Sequence, residues 1–134
     1  GGEQDMRRLA VLAVLALAAG CVAEEKQPTG AEDFATFCAG CHGAAGKGDG
    51  PGAAGLPRHP ANLTTLAKRH DGTFPKLRVM AKIWGYTGKY GDTPMPNFGP
   101  LLDSPLVPYD AGDGISSPTP LRLVQLAEYV EGLQ

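Results

Sequence analysis

The chain lacks the strong charge imbalance that marks several classes of small protein. Its formal charge is -2 over 134 residues, far from the basic excess of nucleic-acid-binding domains. It also lacks a disordered composition, because hydrophobic residues make up 43% of the chain. Glycine and proline are plentiful, at 19 and 12, which indicates short helices joined by long turns. One small domain is expected, with a marginal core that a metal or cofactor would help to stabilise.

No apolar run is long enough to cross a membrane comfortably as a permanent helix. The longest extends from Leu9 to Ala19 and follows Met6 and two arginines, as in a cleaved signal peptide. Its end, "LAAGC", resembles a bacterial lipobox and predicts lipidation of Cys21. A simple cleaved signal or a buried helix is the alternative. We interpret residues 1–20 as a tag remnant plus signal peptide, 21–28 as a lipid-anchor tether, and 29–134 as the folded domain. The protein is therefore expected to be exported and lipid-anchored on the periplasmic side of a bacterial membrane.

Cysteine is scarce, which limits the possible metal sites. With Cys21 assigned to the anchor, only Cys38 and Cys41 remain, whereas structural zinc sites usually take two paired sets of ligands. His59 and His70 could complete a site, but their 11-residue separation fits no common zinc pattern.

In the motif "CAGCH", two residues separate Cys38 from Cys41, and His42 directly follows Cys41. A thioredoxin-like redox motif needs a preceding strand, whereas a helical pattern precedes this one, with Thr29 and Glu32 in capping-box relation. The motif instead predicts one covalent haem c, with thioethers at Cys38 and Cys41 and with His42 as the proximal iron ligand.

Two methionines are candidates for the distal iron ligand. Met80 lies on an apolar helical stripe, and its predicted role is packing in the core. Met95 lies between Pro94 and Pro96, where a helix cannot continue and the backbone is stiff. Met95 is therefore the predicted ligand, ahead of His59 and His70, which have the surroundings of solvated turns.

The glycine-rich stretch "GAAGKGDGPGAAG" lacks the GK[ST] ending of a phosphate-binding loop, and no strand precedes it. Its glycines are expected to let the chain pass close to a porphyrin edge. Trp84, Tyr86 and Tyr90 precede the methionine loop and are assigned to core packing, with a hydrogen bond to a haem propionate as a second role.

Residues 29–133 resemble the class I c-type cytochromes. Gly30, Phe34 and Cys38 reproduce the spacing of the family's first helix, while Leu126 and Tyr129 match the pair on its last helix. The stretch "MPNF" is similar to its methionine loop. The resemblance implies an all-α fold, with three to five short helices around one haem. The last helix is also predicted from the residues alone, with Thr119 as its cap and Pro120 at its first position.

Two regions depart from the family pattern. The family uses a proline carbonyl to orient the haem histidine, and Pro51, Pro57 and Pro60 are candidates, with Pro60 favoured by its "PANLT" context. Residues 101–118 form a long connection, which we expect to be a solvated surface loop. Its Asp110 and Asp113 miss the spacing of an EF-hand.

The resemblance implies a one-electron carrier rather than an enzyme. Its partners would be redox proteins such as a dehydrogenase, reductase or oxidase, with the protein itself a monomer or a subunit of a respiratory complex. Seven basic residues lie between Arg58 and Lys89. They form a solvated face, a surface that steers an acidic partner, or partners for the haem propionates. The alternative is a haem enzyme or a gas or redox sensor with a labile or absent methionine ligand. A structural zinc module is the third possibility.

Overall fold

The computed structural model describes residues 2–7, 25–86 and 94–134. The predicted lipidation site Cys21, most of the signal peptide and Tyr90 lie outside these residues. Helix α1 covers residues 2–7. The other α-helices in the described ranges are α2 (Gly30–Phe37), α3 (Ala39–His42), α4 (Lys76–Trp84) and α5 (Leu121–Glu131), and short 3-10 helices occur in the connections. Within the described ranges, no helix has the length and apolarity needed to span a bilayer.

Helices α2 and α5 cross closely. The capping box at the start of α2 is present, since Thr29 accepts from the backbone N–H of Glu32 and the Glu32 side chain reaches back. At the crossing, a Cβ on Gly30 would collide with the main-chain carbonyl of Gln125 and lie 3.1 Å from Cβ of Tyr129. Phe34 packs against Tyr129, with ring centroids 5.0 Å apart. Glycine at position 30 thus permits a contact that any side chain would prevent.

The hydrophobic core lies around the crossing of α2 and α5. Leu102 and Ala127 are fully buried at 0% exposure, and Phe34 and Leu126 are at 1%. The other buried apolar residues are Leu66, Met80, Ile83, Phe98, Leu123, Val124 and Val130.

The all-α prediction is only roughly right, because part of the predicted surface loop forms a β-hairpin. Strands β1 (Leu106–Asp110) and β2 (Ser116–Pro120) pair antiparallel, with Leu106 opposite Pro120. Thr119 belongs to β2 and donates its hydroxyl to the Ser117 carbonyl. It is therefore not the cap of α5, which starts at Leu121 with no side-chain cap.

The two aspartates of this hairpin stabilise its turn. One oxygen of Asp110 accepts from the backbone N–H of Gly112 at 2.8 Å and of Gly114 at 3.1 Å. Asp113 accepts from the N–H of Ile115 at 2.9 Å. Hydrogen bonds from backbone N–H groups lower the pKa of Asp110, and the largest effect comes from the N–H of Gly112. Such donors favour the ionised form of the carboxyl group. The carboxylates are thus explained by turn geometry.

Candidate haem-binding site

The CAGCH motif occupies one turn at the junction of α2 and α3. Cys38 is the C-cap of α2. Its carbonyl oxygen accepts from the backbone N–H of Cys41 at 3.3 Å and from that of His42 at 2.9 Å. Helical geometry therefore brings the two sulfur-bearing residues and the imidazole to one short segment. Both thiols are free, with Cys38 half-buried and Cys41 exposed.

Glycines hold the following loop against this turn. Gly43 ends α3 with φ at 84°, and a Cβ there would collide with the Asp49 carboxylate. The N–H of Gly48 donates to the His42 carbonyl at 2.7 Å, and the N–H of Gly50 donates to the Cys41 carbonyl at 3.1 Å. The loop thus holds the backbone of the motif through these hydrogen bonds. The two chain segments approach so closely that the loop glycines could not carry side chains.

The orientation of the His42 ring is set by a main-chain carbonyl, though not the predicted one. Nδ1 of His42 lies 3.0 Å from the carbonyl oxygen of Ala61. The assignment of Pro60 to this role is therefore wrong by one residue: the Pro60 carbonyl is 3.0 Å from Nδ1 of His59 instead. With its proton on Nδ1, the neutral imidazole keeps the lone pair of Nε2 for a metal.

The Cys38 thiol is held in its neutral form. Burial, and then the nearby Asp33 carboxylate, raise the pKa of Cys38 to about 11, because both disfavour a thiolate. A thioether sulfur carries no charge, so this environment suits the proposed linkage better than a zinc thiolate.

The methionine loop is anchored to the end of α4 and to α2. The backbone N–H of Phe98 donates to the Ile83 carbonyl at 2.9 Å. A Cβ on Gly99 would lie 3.0 Å from the indole of Trp84. The Phe98 ring packs against Phe37, next to the first motif cysteine, with centroids 6.0 Å apart. This ring contact joins the loop of Met95 to the CAGCH segment.

The two methionines differ as predicted in their surroundings. Met80 is 5% exposed and belongs to the buried core. Met95 is only partly buried and packs at the edge of that core. Its role as a ligand remains a prediction.

Trp84 and Tyr86 stack on each other, with centroids 6.1 Å apart and planes 20° from parallel. Both line a cleft between α4 and the hairpin, together with Tyr109 and Pro118. Tyr86 is 77% exposed, so its assignment to core packing is wrong, whereas Trp84 is partly buried and packs against the core. Their predicted contact with a haem propionate stays a prediction.

The other histidines are engaged in local contacts. His59 is bonded to Pro60, as above, and Nδ1 of His70 lies 2.8 Å from the Leu66 carbonyl. The described residues contain no group of three or more histidine, cysteine or acidic side chains placed to hold a metal ion.

A buried ion pair beside the motif was missed by the sequence analysis. Asp33 is 2% exposed, and its two oxygens accept from Nε and a terminal nitrogen of Arg122 at 3.1 and 2.8 Å. A signal was available: Asp33 stands three residues after Gly30, on the apolar face of α2. Arg122 is the one basic residue from Asp92 onward.

These residues fit a covalently bound haem. Two free thiols and an oriented imidazole share one turn, a glycine loop lies against its backbone, and Phe37 and Phe98 supply apolar surface beside it.

Comparison with known proteins agrees with this donor set. The Cytochrome c family model matches residues 28–105, more than half of the chain. The match ends before the hairpin and α5. No curated protein and no solved structure gave a significant match. The chain therefore belongs to the cytochrome c family, whose domains bind haem and typically carry electrons.

Proposed function

We propose that this protein is a monohaem class I cytochrome c that carries single electrons. The observation that carries the proposal is the CAGCH turn, in which the imidazole of His42 is oriented by a main-chain carbonyl at 3.0 Å. Cys38 and Cys41 would form the thioethers. His42 and Met95 would be the axial ligands. The bound group supplies an iron that alternates between Fe(III) and Fe(II).

The protein's own residues would fix the ligand geometry. A hydrogen bond from Nδ1 of His42 to Ala61 prevents rotation of the ring and makes Nε2 more electron-rich. The loop of Met95 is held through the Phe98 N–H and the Gly99–Trp84 contact. If His42 and Met95 both bound the iron, no coordination site would be open to substrates or small ligands, which favours electron transfer over catalysis.

The cellular setting is also a proposal. The apolar segment and lipobox-like end support export and anchoring through Cys21. The domain would then exchange electrons with other redox proteins at the periplasmic face of a membrane. The cationic residues between Arg58 and Lys89 would favour an acidic partner surface.

Covalent attachment is tested by acid–acetone extraction of protein expressed with a haem c maturation system. Thioether-linked haem should stay with the polypeptide and add one haem mass in intact mass spectrometry. The variant Cys38→Ser/Cys41→Ser is the matched control, since it keeps His42 but cannot form thioethers. Recovery of the haem in the organic phase from the unaltered protein would contradict the proposal, and absence of a Soret band would favour a non-haem protein.

A further inference from the structure

The Asp33–Arg122 pair joins the haem-attachment helix to the start of α5. Of the charged side chains in the described ranges, Asp33 is the one that is buried. The guanidinium of Arg122 binds both oxygens of its carboxylate in a fork, at 2.8 and 3.1 Å. Such two-bond contacts hold the charges in one geometry.

Arg122 is itself fixed at a second point. Its backbone N–H donates to the Ser104 hydroxyl oxygen at 3.0 Å, and the Ser104 hydroxyl donates to the carbonyl of the fully buried Leu102 at 3.1 Å. The Arg122 side chain is 16% exposed and that of Asp33 is 3% exposed. The positive charge of Arg122 is thus held in a fixed position by the fold and does not belong to a mobile surface side chain.

The negative member of the pair acts on the attachment site. Asp33 precedes Cys38 by five residues of continuous helix, about 7.5 Å along the axis at 1.5 Å per residue. A buried charge at that separation would act on a haem bonded to Cys38, because buried charges are weakly screened.

We infer that Arg122 is a positioning residue that neutralises the buried Asp33 carboxylate beside the first thioether and thereby sets the reduction potential. The inference rests on the proposed function. Without Arg122, an unbalanced negative charge would stabilise Fe(III) and lower the potential. Without Asp33, the remaining guanidinium would stabilise Fe(II) and raise it. With both removed, the potential would return towards its original value.

The test is a redox titration of the holoprotein and its variants at neutral pH. Arg122→Gln should increase the Fe(III)-to-Fe(II) ratio at the wild-type midpoint by roughly two- to tenfold, since tenfold corresponds to about 59 mV for one electron. Asp33→Asn should shift the ratio in the opposite direction. Asp33→Asn/Arg122→Gln should fall between them, near the unaltered protein.

Two further variants separate charge from packing. Arg122→Lys keeps the cation but loses the planar fork, so it should keep the midpoint while lowering the thermal unfolding temperature. Lys26→Gln removes an exposed cation from the same surface cleft as Arg122, and solvent screening should leave its midpoint unchanged.

Shifts of Arg122→Gln and Asp33→Asn in the same direction, or no shift in either, would overturn the inference, as would a double variant displaced as far as Arg122→Gln. If Arg122→Gln does not fold, Asp33→Asn and the double variant decide the question: the first must raise the midpoint and the second must restore it. Absence of covalent haem from the unaltered protein would instead refute the proposed function, before any potential is measured.

Discussion

At the scale of single residues, the two methionines offer the sharpest test of the proposed ligands. Met95→Ala should abolish the weak near-infrared band of sulfur–iron ligation, lower the potential and let carbon monoxide bind. Met80→Ala should keep the band but lower the free energy of unfolding by about 2–5 kcal/mol, because Met80 is 5% exposed. Visible and near-infrared spectra with thermal unfolding distinguish them. If Met80→Ala loses the band and Met95→Ala keeps it, Met80 is the ligand. If the unaltered protein shows no such band, the haem enzyme or sensor is favoured.

Gly30 provides a second residue-scale prediction, in which sterics oppose helix propensity. Alanine is favoured over glycine by about 1 kcal/mol inside a helix, but a Cβ at position 30 meets the Gln125 carbonyl. Gly30→Ala should therefore lower the free energy of unfolding by about 1–3 kcal/mol, measured by denaturant titration. The control Ala35→Gly, on an exposed position of the same helix, should cost about 1 kcal/mol through propensity alone. A more stable Gly30→Ala would mean that the helices do not cross this closely.

The site was predictable from sequence where chemistry depends on residue type. Cys38, Cys41 and His42 follow from spacing, and the structure places them on one turn. The acceptor of His42 was missed by one residue, because a main-chain carbonyl carries no sequence signal and its direction depends on local dihedral angles. The Asp33–Arg122 pair joins residues 89 positions apart, so only the packing of α2 on α5 brings them together.

At the scale of elements, the two threonines that were predicted to cap helices provide a matched comparison. Thr29 accepts from the Glu32 N–H at 3.1 Å, so Thr29→Ala should cost about 0.5–2 kcal/mol of stability. Thr119 caps no helix and bonds locally to Ser117. Thr119→Ala should therefore stay within about 0.5 kcal/mol of the unaltered protein. Chemical denaturation measures both, and equal losses would contradict the assigned helix start.

Helices were more predictable than strands for a physical reason. The helices α2 and α5 carry apolar residues at three- and four-residue spacing, and a glycine marks their crossing. The hairpin has prolines at 108 and 118, directly opposite each other, and proline normally argues against a strand because it has no N–H to donate. In a two-stranded ribbon each strand has a free edge, so proline is tolerated where its nitrogen faces outward.

At the scale of the whole molecule, the proposed lipid anchor would determine where the domain exchanges electrons. If Cys21 is lipidated, Cys21→Ala should move the protein from the membrane fraction to the soluble periplasmic fraction. Its haem spectrum should not change, because the predicted tether separates Cys21 from the CAGCH turn. Immunoblots of separated membranes measure the distribution. Cys41→Ser is a useful control, since it alters haem attachment and should leave the membrane association intact. If the Cys21→Ala protein stays in the membrane fraction, another part of the chain must anchor it.

The His42 imidazole donates to the main-chain carbonyl of Ala61. A single substitution at position 61 cannot remove this acceptor, because every residue type carries a main-chain carbonyl. His42 and Met95, by contrast, each depend on a single side chain, so one codon change can remove either proposed ligand. Substitutions at position 61 should therefore leave the orientation of the His42 ring unchanged, unless insertion or deletion rebuilds the backbone of the 60–62 segment.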